Sequence, residues 1–185
     1  MNSNLTEVRN SMSVIEEVLK KNESYANQFS HTNLPMPPAK KLAVVACMDA
    51  RLVIPDMLGI GIGDIHTIRN AGGIVTEDVI RSLLISHYLL GTQEFMIINH
   101  TDCGMLTFKD EDLRIRLERE TGTAALAPDH FYAHNNIEAN VRRQVQKVKS
   151  HPWTPKNVPV RGFVFDVKTG KLHEVAAGEA KRAAA

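Results

Sequence analysis

Two uninterrupted apolar runs most constrain what this chain can fold into. Residues 42–46 read Leu-Ala-Val-Val-Ala and residues 95–98 read Phe-Met-Ile-Ile, with no polar position in either. A strand with one wet face alternates polar and apolar residues, whereas a strand covered on both faces does not. Runs this short therefore predict central strands of a parallel sheet. The segments around them alternate in type. Residues 52–58 read as a short helix and 64–69 as a second strand. Residues 76–90 read as a longer helix, capped by Thr76, with Glu77 and Asp78 complementing its dipole and Gly91 stopping it. Residues 107–128 are charged and partly helical, and 135–150 form a further helix ended before Pro152. Residues 160–166 and 172–175 predict a closing hairpin around Lys168, Thr169 and Gly170. The expected fold is α/β: a mostly parallel central sheet flanked by helices, with an antiparallel edge strand.

The N-terminal part is different in kind. Leu5, Val8, Met12, Ile15, Val18 and Leu19 recur at helical steps, predicting an amphipathic helix over residues 5–27. Residues 31–41 carry Pro35, Pro37 and Pro38, which rule out helix and central strand. The expected organisation is an N-terminal helical arm and connector over 1–40, an α/β domain over 41–176 and a disordered tail over 177–185. The apolar stripe of the arm must be covered, by the chain's own core or by a second subunit.

At 185 residues the chain has the length of one such domain. Lys and Arg total 22 against 21 for Asp and Glu, a formal net charge of +1. That balance removes the electrostatic basis for nucleic acid or an anionic membrane as a partner. No apolar run approaches the roughly 18 residues of a membrane span. The first residues show no secretory apolar core, and Glu7, Glu16 and Glu17 are too acidic for a transit peptide. A cytoplasmic protein is expected. Its two cysteines, Cys47 and Cys103, are too few for a disulfide framework.

Open parallel sheets bind ligands at the C-terminal ends of their strands. Cys47 directly follows the first apolar run, His100 closes the strand containing the other, and Cys103 comes three residues later. The His-x-x-Cys spacing lets two side chains of one tight turn reach the same ion, and neighbouring strand ends can bring Cys47 to it. Zinc accepts thiolate and imidazole, and three protein ligands leave a fourth position for water. Both cysteines also read as small buried hydrophobes at strand ends. Asp49 and Arg51 alternate with Cys47 along the loop and so share one side of it. A guanidinium fork can hold a carboxylate bidentately, and a carboxylate so held could orient an attacking water. An ordinary loop salt bridge shows the same pattern.

Three segments carry a resemblance. Ala46-Cys47-Met48-Asp49-Ala50-Arg51-Leu52, Arg69-Asn70-Ala71-Gly72-Gly73 and His100-Thr101-Asp102-Cys103-Gly104-Met105 closely resemble, in order and spacing, the β-class carbonic anhydrases. The likeness spans about residues 41–108 and continues more weakly through the last strands. The third motif and the length are similar to the small prokaryotic-type branch, which also includes carbonyl sulfide and carbon disulfide hydrolases. The resemblance implies one Zn2+ per chain on Cys47, His100 and Cys103, with Asp49 and Arg51 as the catalytic dyad. It implies reversible hydration of CO2 to bicarbonate by water activated on zinc, with hydrolysis of carbonyl sulfide or carbon disulfide at the same site as the alternative. It also implies a homodimer or higher homo-oligomer with active sites at or near the subunit interface, the first helix packing on the partner. In some members the aspartate moves to become the fourth zinc ligand. A non-catalytic zinc-binding dimeric module is a second alternative, against which the retained Asp49 and Arg51 both argue. A Cys47–Cys103 redox pair is a third, and stoichiometric zinc would exclude it.

Other signals are weaker. His130 and His134 are four apart, but no Glu follows His130 as in a metalloprotease helix, so surface histidines are expected. Gly59, Gly61 and Gly63 miss the dinucleotide spacing at Asp64 and read as turn residues. Trp153, flanked by prolines, is expected to serve packing. Gly72 and Gly73 read as a tight turn, with the presentation of N–H groups to an anion as the other reading.

Overall fold

The computed structural model describes residues 13–175. The chain divides between Leu34 and Pro35 into two compact units.

In the first unit, α1 (Val14–Ala26) opens at a capping box. The Ser13 hydroxyl accepts from the Glu16 N–H at 3.3 Å, and the Glu16 carboxylate accepts from the Ser13 N–H at 2.9 Å. This exchange satisfies two donors that a helix start otherwise leaves orphaned. The described helix thus begins at Val14, behind its cap Ser13; Leu5, Val8 and Met12 lie outside the described residues, as does the tail. Val14, Ile15, Val18 and Leu19 all stand more than half exposed, and no residue of α1 is buried.

In the second unit, five strands form one sheet in the order β2-β1-β3-β4-β5. They are β1 (Leu42–Cys47), β2 (Ile65–Asn70), β3 (Glu94–His100), β4 (Val160–Phe165) and β5 (Leu172–Val175). The first three pairings are parallel and β4–β5 is antiparallel. Helices α2 (Ile54–Leu58), α3 (Glu77–Tyr88), α4 (Asp110–Thr121) and α5 (Ile137–Ser150) complete the unit. This is the expected α/β fold: the strands and α2, α3 and α5 end within a residue or two of those read from sequence, and the charged segment 107–128 contains α4.

The unbroken apolar runs have a direct explanation in this sheet. The pleat sends Ala43, Val45, Phe95 and Ile97 to one face, against Val79 and Leu83 of α3 and Val141 and Val145 of α5. It sends Val44, Ala46 and Ile98 to the other, against Leu52, Ile54, Met105 and Phe165. Both faces are dry along these runs, which is why residues 42–46 and 95–98 carry no polar side chain.

One expectation is corrected. Trp153 is 69% exposed and is not part of the core; its ring meets that of His151 edge-to-face, 5.8 Å between centroids. The turn after α5 uses the Trp153 carbonyl, which accepts from the Tyr88 hydroxyl at 2.9 Å, and leaves the ring outside. The ring rims an open groove of about 910 Å³ along α3, with Ile85, Tyr88 and Leu89. Among the described residues no helix is long and apolar enough to cross a membrane.

Candidate metal centre

The parallel pairing of β1 and β3 places Ala46 opposite Ile98, so the two strands end side by side. Cys47 is the last residue of β1 and His100 the last of β3. Beyond His100 the chain reverses through Asp102, which takes the left-handed conformation at φ 55°. Asp adopts that conformation more readily than most residues. The reversal turns Cys103 back toward the strand ends. One ligand-type atom from each of Cys47, His100 and Cys103 then lies within 4.8 Å of the others, and all three residues are buried.

His100 decides between a packed core and a metal site. Its Nδ1 lies 2.9 Å from the Thr101 carbonyl and must carry the proton to bond it. That tautomer leaves a lone pair on Nε2, which is buried and has no hydrogen-bond partner. The nearest carboxylate oxygen, Asp49 Oδ2, is 3.7 Å away, beyond hydrogen-bond range. An unmatched buried acceptor costs about 1–3 kcal/mol. A cation between two sulfurs and this nitrogen is the partner of matching chemistry.

The sulfurs are already polarised for that role. The Cys103 thiol, hydrogen-bonded to Cys47, is the largest influence lowering the Cys47 pKa; burial opposes it, and the Asp49 and Gly72 N–H groups assist. The same bond and burial push Cys103 up. The Gly72 N–H donates to Cys47 Sγ at 3.3 Å. The two glycines form the expected tight turn: residues Ala71–Gly73 are a 3-10 turn, and it aims the Gly72 N–H at the Cys47 sulfur.

Asp49 and Arg51 form a true fork. Arg51 Nε donates to Asp49 Oδ1 at 2.9 Å and Nη2 to Oδ2 at 2.8 Å. The Arg51 backbone N–H adds a third bond to Oδ1, at 2.9 Å. These bonds hold the Asp49 carboxyl well below the usual carboxylate range, against a smaller opposing effect of burial. The carboxylate stands beside the cluster, with Oδ2 3.7 Å from His100 Nε2.

The carbonic anhydrase family model matches residues 42–172, which contain every one of these groups. The chain belongs to the β-carbonic anhydrase family. It is 49% identical over 164 residues to "Beta-carbonic anhydrase 1" of Mycobacterium tuberculosis, covering 89% of this chain and 99% of that relative. A "Carbon disulfide hydrolase" of Acidithiobacillus thiooxidans is 32% identical over 179 residues, covering 87% of this chain and 90% of the relative. Among solved structures, a carbonic anhydrase from Streptococcus mutans superposes with a TM-score of 0.84 at 39% identity, covering 89% of this chain and 99% of that one.

Around this family centre stand residues to which the sequence reading assigned no role. Arg69 Nε donates to the Cys47 carbonyl at 3.0 Å and Nη2 to the Asp49 carbonyl at 2.7 Å, pinning the loop that carries both. Arg51 Nη1 donates to Asp102 Oδ2 at 2.7 Å, and Nη2 to the Asp102 carbonyl at 2.9 Å. Arg69 and Asp102 sit inside the recognised motifs, but a motif does not say which distant groups meet. Asn99 Nδ2 donates to the Gly72 carbonyl at 2.9 Å, and Asn140 Nδ2 to Asn99 Oδ1 at 2.8 Å. Nothing in the sequence marked these two asparagines. His130 and His134 lie outside the only potential metal-ligand group found among the described residues.

Proposed function

We propose that this chain hydrates CO2 reversibly to bicarbonate, using one zinc ion held by Cys47 Sγ, His100 Nε2 and Cys103 Sγ. The observation that carries this reading is the convergence of those three atoms within 4.8 Å, beside a carboxylate locked by an arginine. Bound there, zinc supplies Lewis acidity that makes water a nucleophile near neutral pH. Two thiolates offset the formal charge of the ion, so this acidification is weaker than in an all-histidine site, where the value is about 7.

The chain's own residues orient the reaction. Ionised Asp49 is an acceptor only, so a water donating to it must turn a lone pair away from the carboxylate, toward the carbon of CO2. Arg51 makes two bonds to Asp49 Oδ1 and one to Oδ2, which fixes the carboxylate plane and leaves Oδ2 a lone pair for the water. The new C–O bond takes its electrons from the water oxygen, one proton passes to solvent, and bicarbonate leaves. Arg69 holds the Cys47 and Asp49 carbonyls and so keeps ligand and dyad in register.

Hydrolysis of carbon disulfide or carbonyl sulfide, giving hydrogen sulfide and CO2, is the second reading. The carbon disulfide hydrolase among the relatives favours it, since a linear, uncharged substrate attacked at carbon needs the same groups. A non-catalytic zinc module is disfavoured, because metal retention alone has no use for the Asp49–Arg51 fork.

We further read residues 1–40 as an arm, residues 41–176 as the catalytic domain, and the working form as a cytoplasmic homodimer. The exposed stripe of Val14, Ile15, Val18 and Leu19 and the apolar groove along α3 support the dimer, a second copy covering both. One zinc-loaded preparation assayed against CO2, carbonyl sulfide and carbon disulfide tests the activity. CO2 turnover well above the sulfur substrates is expected; fully loaded protein inert toward CO2 would overturn the leading reading.

A further inference from the structure

We propose that Asp102 is a positioning residue for this reaction: by gripping the far edge of the Arg51 guanidinium it keeps Asp49 turned toward the attacking water and away from the metal position. The inference rests on the reading of the site given above.

An ordinary surface ion pair is the competing explanation, and exposure alone favours it. The Asp102 side chain is 72% exposed and that of Arg51 47%. The geometry argues otherwise. A guanidinium has five N–H donors in one plane. Asp49 takes two, through Nε and Nη2, and Asp102 takes two more, through Nη1 to its carboxylate and Nη2 to its carbonyl. Arg51 is therefore held along both edges by two residues only. A guanidinium gripped along one edge can pivot with its carboxylate, whereas one gripped along both cannot. The left-handed backbone of Asp102 brings its own carbonyl and its carboxylate to the same guanidinium. That same reversal delivers Cys103 to the ligand cluster. One turn thus serves both the metal ligand and the dyad.

The consequence concerns where Asp49 rests. Its Oδ2 is 3.7 Å from His100 Nε2, so a small pivot would carry the carboxylate into the position water must occupy. Arg51 opposes that pivot, and Asp102 anchors Arg51. Without the anchor, the population shifts toward molecules in which Asp49 has taken the water's place.

The test uses full-length protein with Asp102→Gly and Asp102→Asn. Both substitutes tolerate the left-handed backbone and keep the carbonyl; Gly removes the carboxylate, and Asn retains an oxygen acceptor without charge. The readout is azide binding to the cobalt(II)-substituted proteins, followed by visible absorption, since azide competes for the water position. If nine molecules in ten become closed, apparent azide affinity falls about tenfold. A loss of that order is expected in Asp102→Gly, with a smaller loss in Asp102→Asn and unchanged metal content. A merely structural role would lower the unfolding temperature and leave azide affinity alone. Wild-type azide affinity in both variants would overturn the proposal. The titration needs no turnover, so wild-type protein without CO2 activity would sink the functional reading while leaving this result separately legible.

Discussion

Gly73 lies so close to Cys47 that a Cβ on the glycine would come within 2.9 Å of the Cys47 backbone nitrogen. The same Cβ would meet the Ile98 carbonyl oxygen at 2.9 Å, and Gly73 has φ +61°. The 3-10 turn is thus laid into the seam between β1 and β3, where Cys47 and His100 emerge. That close approach is what brings the Gly72 N–H to the Cys47 sulfur.

Gly73→Ala should therefore act on both stability and metal. The left-handed backbone alone costs on the order of 1–3 kcal/mol for a residue with a side chain, and the contact with rigid backbone adds to it. Thermal unfolding with and without zinc, together with metal analysis, checks this. A variant that melts and loads like the wild type would show that the seam can open without consequence.

About one zinc per chain is expected after mild purification, and Cys103→Ser should lose most of it. Serine is isosteric, but its hydroxyl stays protonated at neutral pH and is a poor ligand for zinc beside a thiolate and an imidazole. Elemental analysis of both proteins decides the point; equal zinc in the two would remove Cys103 from the ligand set.

Asp49→Asn should keep its zinc and lose turnover. The three ligand side chains are untouched, so the loss reflects orientation and proton acceptance, roles worth roughly 10²–10⁴-fold. In the wild type, Arg51 keeps the Asp49 pKa below the ordinary range, so Asp49 is ionised throughout pH 6 to 9 (about three decades of proton activity) and contributes no step there. Turnover should instead rise with pH as the attacking water deprotonates, with a midpoint alkaline of ~7. Stopped-flow pH profiles of both proteins measure this, and a flat wild-type profile contradicts it.

Asp110 governs a separate pH effect, on stability. Its carboxylate accepts the N–H groups of Phe131 at 2.8 Å, Tyr132 at 3.1 Å and Ala133 at 2.8 Å. Burial pushes its pKa up, and these three bonds more than offset that, so the folded value lies below the ordinary one. A lowered folded pKa stabilises above the unfolded value of about 3.9 and is lost as pH falls through the folded value. Asp110→Asn should therefore destabilise the fold at pH 7 and much less near pH 3. Urea unfolding at both pH values shows whether the difference narrows as it should.

Deleting residues through Asn27 should weaken the proposed dimer. The deletion removes Val14, Ile15, Val18 and Leu19, all exposed within their own chain, and would uncover the surface they meet on a second copy. Sedimentation over a concentration series compares the two forms. An unchanged, soluble dimer would show that the arm is not part of the interface.

Much of this site was readable before any fold was known, for a specific reason. Strand burial is written locally: residues 42–46 and 95–98 are apolar throughout because both faces of β1 and β3 are dry. Once those strands are placed, Cys47 and His100 follow as strand-end residues, and the alternation of Asp49 and Arg51 with Cys47 follows from backbone period. Local chemistry failed where it was read too coarsely. The apolar stripe over residues 5–27 hid the capping box at Ser13, and flanking prolines suggested packing for a tryptophan whose ring stands outside.

What the sequence by itself determined was the kind of each element, the face it buries and the side chains its ends present. Those properties depend on neighbours within a few positions. Only the tertiary structure decided that β1 lies between β2 and β3, that Arg51 meets both Asp49 and Asp102, and that Asn140 supports Asn99 beneath the Gly72 turn. Such pairings join residues far apart in the chain. They are chosen by the packing of the whole sheet and its helices, which no local pattern encodes.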